Sequence, residues 1–463
     1  MSASGATGQT DRYIDTVVAR IERLPTSSWQ VKARIIVGTA TFFDAFDSLA
    51  IASVLPVLIP LWKIAPPQIG SKVGLLISAG FLGQLVGALL FGWIAERYGR
   101  MPAMIWSIAL FAVMSLVCAF AWDYNSFLVF RTIQGIGLGG EVPVAATYIS
   151  ELTRARGRGR FVLLYEFVFP IGLVAVAAIG AWVVPHLGWQ YLFVLGALPA
   201  FTALFLRVLL PESPRWLAVK GYDMQAEAAL TLIEQETERA SGKPLPPPKE
   251  VVRTHERPAS WGDLFGPHYL QRTLVVWVIW FVAYLVNYGL VIWLPTVYRT
   301  IFKLPLDVAL QYNVITTFFG LIGGIACALL IDYIGRRTVF AISFAGAALA
   351  LIGLWLDGAT SPTHVLIYIT VAYYFVTNIN LGVYLYTPEL YPTRARALAV
   401  GTASAWLRLA SMIGPVLVGN MLSGGFSLAA VFLVFGLVAA AAAVITALFA
   451  VETKGRVLEE VSP

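Results

Sequence analysis

The chain has 463 residues, 58% hydrophobic and only 13% charged, with a formal net charge of +6. Soluble domains carry about 25% charged residues, so the composition excludes a soluble globular protein and predicts an integral membrane one. The basic residues sit in short connections between apolar runs, which argues against nucleic acid as a partner, and the two cysteines, Cys118 and Cys327, lie inside apolar stretches and exclude a disulfide framework.

The start, MSASGATGQTDRYIDTVVARIERLP, is polar and then amphipathic, without the short apolar core of a cleavable signal peptide. The apolar runs that follow predict an all-α integral membrane fold of twelve transmembrane helices. They fall at about 32–60, 72–95, 102–122, 126–150, 160–184, 189–210, 271–298, 310–331, 338–357, 364–387, 398–422 and 427–450. A charged, proline-containing stretch at 212–268 divides them six and six. Within it 223–240 has helical character, and KPLPPPK at 243–249 reads as a linker. The expected division is an N-terminal segment 1–31, a six-helix bundle 32–210, a central loop 211–270, a second six-helix bundle 271–450 and a tail 451–463.

Span one carries charge inside the membrane. Asp44 and Asp47 are three residues apart and share a helix face. Asp44 lies ten residues past Arg34, roughly 15 Å down the axis and so near mid-bilayer. An acid at that depth costs about 2.5–3.5 kcal/mol on insertion scales. Two on one face imply a wet cavity or a partner; the alternative is acids hydrogen-bonded between helices. Burial and a nearby arginine pull a carboxyl in opposite directions, so both are candidate proton-coupling groups. Glu141, in GLGGEVP of span four, is a third, with a structural hydrogen bond as the equal alternative. Glu166, in span five, is expected nearer a helix end, as a gate contact.

Loop charge sets the topology. Arg97 and Arg100, then Arg154, Arg156, Arg158 and Arg160, then Arg336 and Arg337, then Arg394 and Arg396 fall on alternate connections. The opposite connections hold mainly Lys63, Lys72, Arg299 and Lys303. The positive-inside rule therefore predicts both termini and the central loop in the cytoplasm. The halves also repeat each other. GWIAERYGR at 92–100 is echoed by LIDYIGRR at 330–337, and YISELTRARGRGR at 148–160 by YTPELYPTRARA at 386–397. A duplicated six-span unit places a substrate site near the midplane between its copies.

At these motifs the chain resembles the major facilitator superfamily, over nearly its whole length. GWIAERYGR is similar to the family's G-x-x-x-D-R-x-G-R loop signature, with Glu96 in the usual Asp place, and RTIQG at 131–135 resembles its R-x-x-Q-G signature. PESPR at 211–215 and ETKG at 452–455 resemble sugar-porter signatures. Span seven, VVWVIWFVAYLVNYGLVIWLP, lacks the paired glutamines of sugar porters. The chain instead looks like their wider neighbourhood of organic-ion carriers, aromatic-acid:proton symporters and bacterial nicotinate transporters. Asp44 and Asp47 match the paired acids of the aromatic-acid symporters, with Ala45 in place of the usual glycine. The resemblance implies a cytoplasmic gate built from Glu96, Arg97, Arg100, Arg131, Glu151, Arg156, Asp332, Arg336, Glu389 and Arg394. Exposed pairs are worth only about 0–1 kcal/mol each, so such a gate needs a network.

Arg408, in ASAWLRLASMIGP of span eleven, needs an acid, carbonyls, water or an anionic ligand inside the membrane. In organic-ion carriers of this kind a positive residue here goes with anionic substrates. The two readings are a site for a substrate carboxylate and a permanent pair with Asp44, Asp47 or another buried acid. Trp277, Trp280, Tyr284, Asn287 and Tyr288 fall near one face of span seven, and Tyr373, Tyr374, Asn378, Asn380 and Tyr384 cluster in span ten. Trp280, Tyr284, Asn287, Tyr288, Tyr374, Asn378 and Tyr384 join Arg408 as candidate substrate-binding residues, since rings stack and amides orient a flat aromatic ligand.

His186, His255, His268 and His364 all sit at loops or span ends, without metal-ligand spacing or a Ser/His/Asp constellation. No enzyme, metal or cofactor is expected. The expectation is a proton-coupled carrier of a small organic anion, an aromatic monocarboxylate such as nicotinate or a benzoate, in the bacterial inner membrane. Its partners would be the organic acid, the proton and the bilayer, and it would be monomeric. A sugar or organic-cation transporter is the alternative, and a nutrient sensor on a transporter fold is the non-transport one.

Overall fold

A computed structural model of the chain describes residues 3–25, 27–153, 167–248 and 260–455. In lipid every backbone N–H must find its partner inside its own segment, and the described apolar runs all become helices. Spans one to six are Ser28–Leu61, Pro66–Tyr98, Arg100–Cys118, Tyr124–Leu152, Val168–His186 and the pair Trp189–Gly196 and Pro199–Leu209. Spans seven to twelve are the pair Leu270–Val291 and Leu294–Thr300, then Leu306–Ile334, Arg336–Leu356, Pro362–Glu389, Thr393–Ser423 and Leu428–Phe449. The predicted twelve helices are present, several of them longer than the apolar runs alone implied. Prolines explain both broken spans: Pro199 and Pro295 open the second segments, where a missing N–H costs nothing at a first turn but interrupts the ladder behind it.

Small residues let the spans approach. A methyl group on Gly139 of span four would run into the backbone of Gln84 in span two, and one on Gly135 into the carbonyl oxygen of Gly80. The same device joins the two halves. A methyl group on Gly70 of span two would strike the carbonyl oxygen of Gly419 in span eleven, and the reverse substitution would strike Gly70. Beside this seam the Gly70 N–H donates to Ser423 Oγ at 3.0 Å, and Ser78 Oγ donates to the Met412 carbonyl at 2.8 Å. Spans two and eleven, five and eight, and one and the Leu294–Thr300 segment make the main contacts between halves. Gly70, Ser423 and Leu294–Thr300 all belong to the membrane end away from the chain termini.

At the terminus end each half keeps its own charge corner. Arg100 bonds Glu151 at 2.8 Å and Glu96 at 2.9 Å, and Arg336 bonds Glu389 at 2.8 Å and Asp332 at 2.7 Å. Gly99 and Gly335, with φ of 113° and 106°, supply the turn before each arginine in a region that disfavours side chains. Where a Cβ would project, the carboxylates of Glu212 and Glu452 sit instead. Glu212 accepts the Arg100 and Met101 N–H groups at 3.1 Å each, and Glu452 accepts those of Arg336 and Arg337 at 2.9 and 3.1 Å.

The amphipathic start forms the helix Ala3–Glu22 and packs on two helices of the central loop, Pro214–Val219 and Asp223–Ser241. Val17 and Ile21 meet Trp216, Leu217 and Leu230 in a small buried core. Arg20 bonds Glu227 and Glu234, and Arg23 bonds Glu234, all at 2.7 Å. Burial alone would raise the Glu234 carboxyl, but the hydrogen bonds and charges of Arg20 and Arg23 hold it below the usual range. Trp216 Nε1 donates to the Glu96 carbonyl at 3.2 Å, which ties this layer to the first half.

Candidate functional site

Between the halves lies a cavity of about 970 Å³, counting its open part, with walls from spans one, two, four, five, seven, eight, ten and eleven. The first half contributes Thr41, Asp44, Phe81 and Gln84; the second contributes Tyr284, Asn287, Tyr288, Tyr373, Thr377, Asn380, Tyr384 and Arg408.

Arg408 reaches across the divide. Its Nη1 donates to Gln84 Oε1 at 3.0 Å and its Nη2 to the Gly139 carbonyl at 3.4 Å, both in the opposite half. Asp44 lines the same cavity and is 7% exposed, with no hydrogen bond at Oδ1. No salt bridge joins Arg408 to Asp44 among the described residues; the Asp44 charge still acts on Arg408, while the hydrogen bonds of the guanidinium go to neutral acceptors.

Asp47 has a different setting. Its Oδ2 accepts from Arg131 Nη1 and its Oδ1 from Gln134 Nε2, both at 2.7 Å. Arg131 also lies over the Phe193 ring. Sequence spacing put Asp44 and Asp47 on one face, and they are; one helical turn nevertheless separates an acid open to the cavity from an acid closed into a buried triad. This corrects the expected place of Arg131. It lies early in Tyr124–Leu152, at the end opposite Glu151, and so is no part of the terminus-side corners. The R-x-x-Q-G run belongs to the buried span and packs inward, where Asp47 neutralises it.

The aromatic face is partly as expected. Trp280, Tyr284 and Tyr288 stack along span seven with ring centres 5.9 and 6.1 Å apart. Tyr284, Asn287 and Tyr288 line the cavity, whereas Trp280 sits one turn beyond it, fully buried, and donates to Thr387 Oγ1 at 2.9 Å. On span ten the expected face is turned. Tyr373, Thr377, Asn380 and Tyr384 line the cavity. Tyr374 and Asn378 do not: Tyr374 packs on Phe375, and Asn378 Nδ2 donates to the Tyr374 carbonyl at 2.8 Å. Those two sit about 100° per residue round the helix from the cavity face. Glu141 is fully buried behind the cavity wall, where Thr41 Oγ1 donates to it at 3.3 Å.

Of the expected gate residues, Glu96, Arg100, Glu151, Asp332, Arg336 and Glu389 form the two corners. None of these bonds crosses between halves. Arg97 lies over the rings of Trp93 and Tyr98, and Arg394 pairs with Asp263 at 3.5 Å. Arg156 and Glu166 lie outside the described residues. Gln84 and Thr41 were missed by sequence reasoning; a lone amide in an apolar span was the available signal for Gln84.

Twelve spans in two like halves around a central cavity define the fold of a secondary transporter. The chain belongs to the sugar (and other) transporter family, whose model matches residues 35–463. It is therefore a membrane transporter of the major facilitator superfamily and not an enzyme. It is 32% identical over 454 residues to the niacin transporter NiaP of Acinetobacter baylyi, covering 96% of this chain and 99% of that one. It is 28% identical over 410 residues to the 4-hydroxybenzoate transporter PcaK of the same organism, covering 87% and 88%. A partially occluded, inward-open structure of the xylose transporter XylE from E. coli shares the fold, with a TM-score of 0.70 at 20% identity over 93% of this chain and 100% of that one.

Proposed function

We propose that the protein is a proton-coupled importer of small aromatic monocarboxylates, of the nicotinate or benzoate kind, working by alternating access with both termini in the cytoplasm. The observation that carries this reading is Arg408, a guanidinium in the central cavity whose bonds go to an amide and a carbonyl rather than to an acid. A cation so placed can take a carboxylate in a charge-assisted, two-pronged bond. The tyrosine rings suit a flat ring beside it. Relatives named for niacin and for 4-hydroxybenzoate support the same class of cargo.

Asp44 is the acid proposed to exchange the proton, because it faces the cavity without a fixed donor. Asp47, bonded through both oxygens, keeps the Arg131 charge balanced. The loop arginines support a cytoplasmic terminus side. Among the described residues the halves are joined at the other end and each corner is bonded within its own half, which supports an inward-facing conformer.

The test is binding of nicotinate and benzoate, each beside its uncharged amide, to purified wild type and Arg408→Ala. Losing one partner of such a pair costs about 2–5 kcal/mol, or roughly 30- to 5,000-fold in affinity. The variant should lose the acids by that factor and the amides by far less, while remaining monodisperse. A folded Arg408→Ala that keeps the wild-type ratio of acid to amide would sink the carboxylate assignment.

A further inference from the structure

The cavity holds a second polar group that a carboxylate at Arg408 leaves unused. Asn380 of span ten donates through Nδ2 to Asn287 Oδ1 of span seven at 3.1 Å, and both residues line the cavity. The Tyr284 hydroxyl donates to the Asn380 backbone carbonyl at 3.4 Å and braces the pair. Asn287 is 4% exposed, and Asn380 Oδ1 is buried with no hydrogen bond. Each side-chain amide has two N–H donors and one acceptor oxygen. One mutual bond therefore leaves an acceptor oxygen and N–H donors beside the cavity. Exchanging nitrogen and oxygen in both side chains leaves the same set of donors and acceptor. Asn378 is the contrast: it spends its amide on its own helix and stays out of the cavity.

We propose that the Asn287–Asn380 pair reads a second hydrogen-bonding group on the ring of the transported acid. The substrate is then an aromatic monocarboxylate with a ring nitrogen or hydroxyl, rather than an unsubstituted benzoate. This rests on the carboxylate reading of Arg408. A site built to hydrogen-bond a polar group rejects the analogue that lacks it, because the site's own buried atoms stay unpaired. A single such bond corresponds to about tenfold in affinity.

Calorimetric binding of nicotinate, 4-hydroxybenzoate and benzoate to the purified full chain tests it, in wild type, Asn380→Leu, Asn287→Leu and Asn380→Ser. Wild type should favour at least one substituted acid over benzoate by about tenfold. The leucine variants should bring the three affinities together. Serine, whose hydroxyl both donates and accepts, should keep part of the preference, and it carries the comparison if leucine prevents folding. Monodispersity and the thermal midpoint report the folded state. A wild type that binds benzoate as tightly as both substituted acids overturns the inference and leaves the carboxylate reading standing. So does an undiminished preference in folded Asn380→Leu or Asn380→Ser. Failure of all three acids to bind wild type overturns the carboxylate reading and the inference with it.

Discussion

The two charge corners and the two walls of the cavity come from the same duplicated unit, and only the corners match. Arg100, Glu151, Glu212 and Gly99 have counterparts in Arg336, Glu389, Glu452 and Gly335, down to a carboxylate that accepts two successive backbone N–H groups. The walls share nothing of the kind. One brings an acid and a glutamine; the other brings an arginine, two asparagines and four tyrosines. A corner solves a problem both halves face, how to turn the chain and hold three helix ends. A wall faces the cargo, and one cargo needs two different sides.

The largest effect should come from breaking a wall. Asp44→Asn is expected to abolish acid-driven accumulation in proteoliposomes while leaving exchange across them. Accumulation at the wild-type level would move the proton to another acid, with Glu141 next. Asp47→Asn should act through stability instead. It strands the Arg131 cation in a buried site, at a cost of about 3–5 kcal/mol. Thermal unfolding of Asp47→Asn alone and with Arg131→Gln checks this, the double variant recovering part of the loss. An unaltered midpoint in the single variant would show that the triad is not what holds those helices.

The seam between the halves comes next. Gly419→Leu should wedge the end at Gly70 apart, because backbone already fills the space a side chain would take. A reporter cysteine at Thr296, in the crevice beside that seam, should then label faster than in the parent. Equal labelling would mean the halves close without this contact.

Corners should respond alike. Glu151→Gln and Glu389→Gln each weaken charge-assisted bonds to a mostly buried arginine, for about 1–3 kcal/mol apiece. Midpoints that fall together sharpen the comparison, and a large difference between them breaks it. The smallest effect is expected at the terminus layer. The Glu234 carboxyl is depressed in the folded chain, so its contribution is present above the unfolded carboxylate range and lost as pH falls through the folded value. Protection of Ala3–Glu22 against hydrogen exchange, taken relative to the intrinsic rate at each pH, should therefore fall in acid, and Glu234→Gln should show that loss of protection at neutral pH. A variant that exchanges like wild type at both would place the docking in the Val17 and Ile21 contacts alone.

The fold was legible because a bilayer leaves a chain few choices: apolar length gives the spans, loop arginines their alternation, and repeated GR motifs the duplication. Asp44 and Arg408 were legible for the same reason, as charges where charge is expensive. The rest required depth and rotation, which spacing does not fix. The resemblance groups Arg131 with loop residues, but it lies a whole span away from them. Tyr374 and Asn378 are as polar as Tyr373 and Asn380, and a helix with polar residues on several sides does not declare which one faces the cargo. Gln84 was passed over because uncharged amides blend into an apolar run, although this one holds the key cation.

A carrier that delivers its cargo must come back with nothing in it. A lone guanidinium would stall that return leg, since a cation sealed in the membrane without acceptors is costly, and the carrier could then only trade one anion for another. Here the opposite half lends Gln84 and the Gly139 carbonyl as neutral stand-ins. On the proposed carboxylate reading, these two acceptors would let the guanidinium re-cross without an anion, and so would separate net uptake from obligatory exchange.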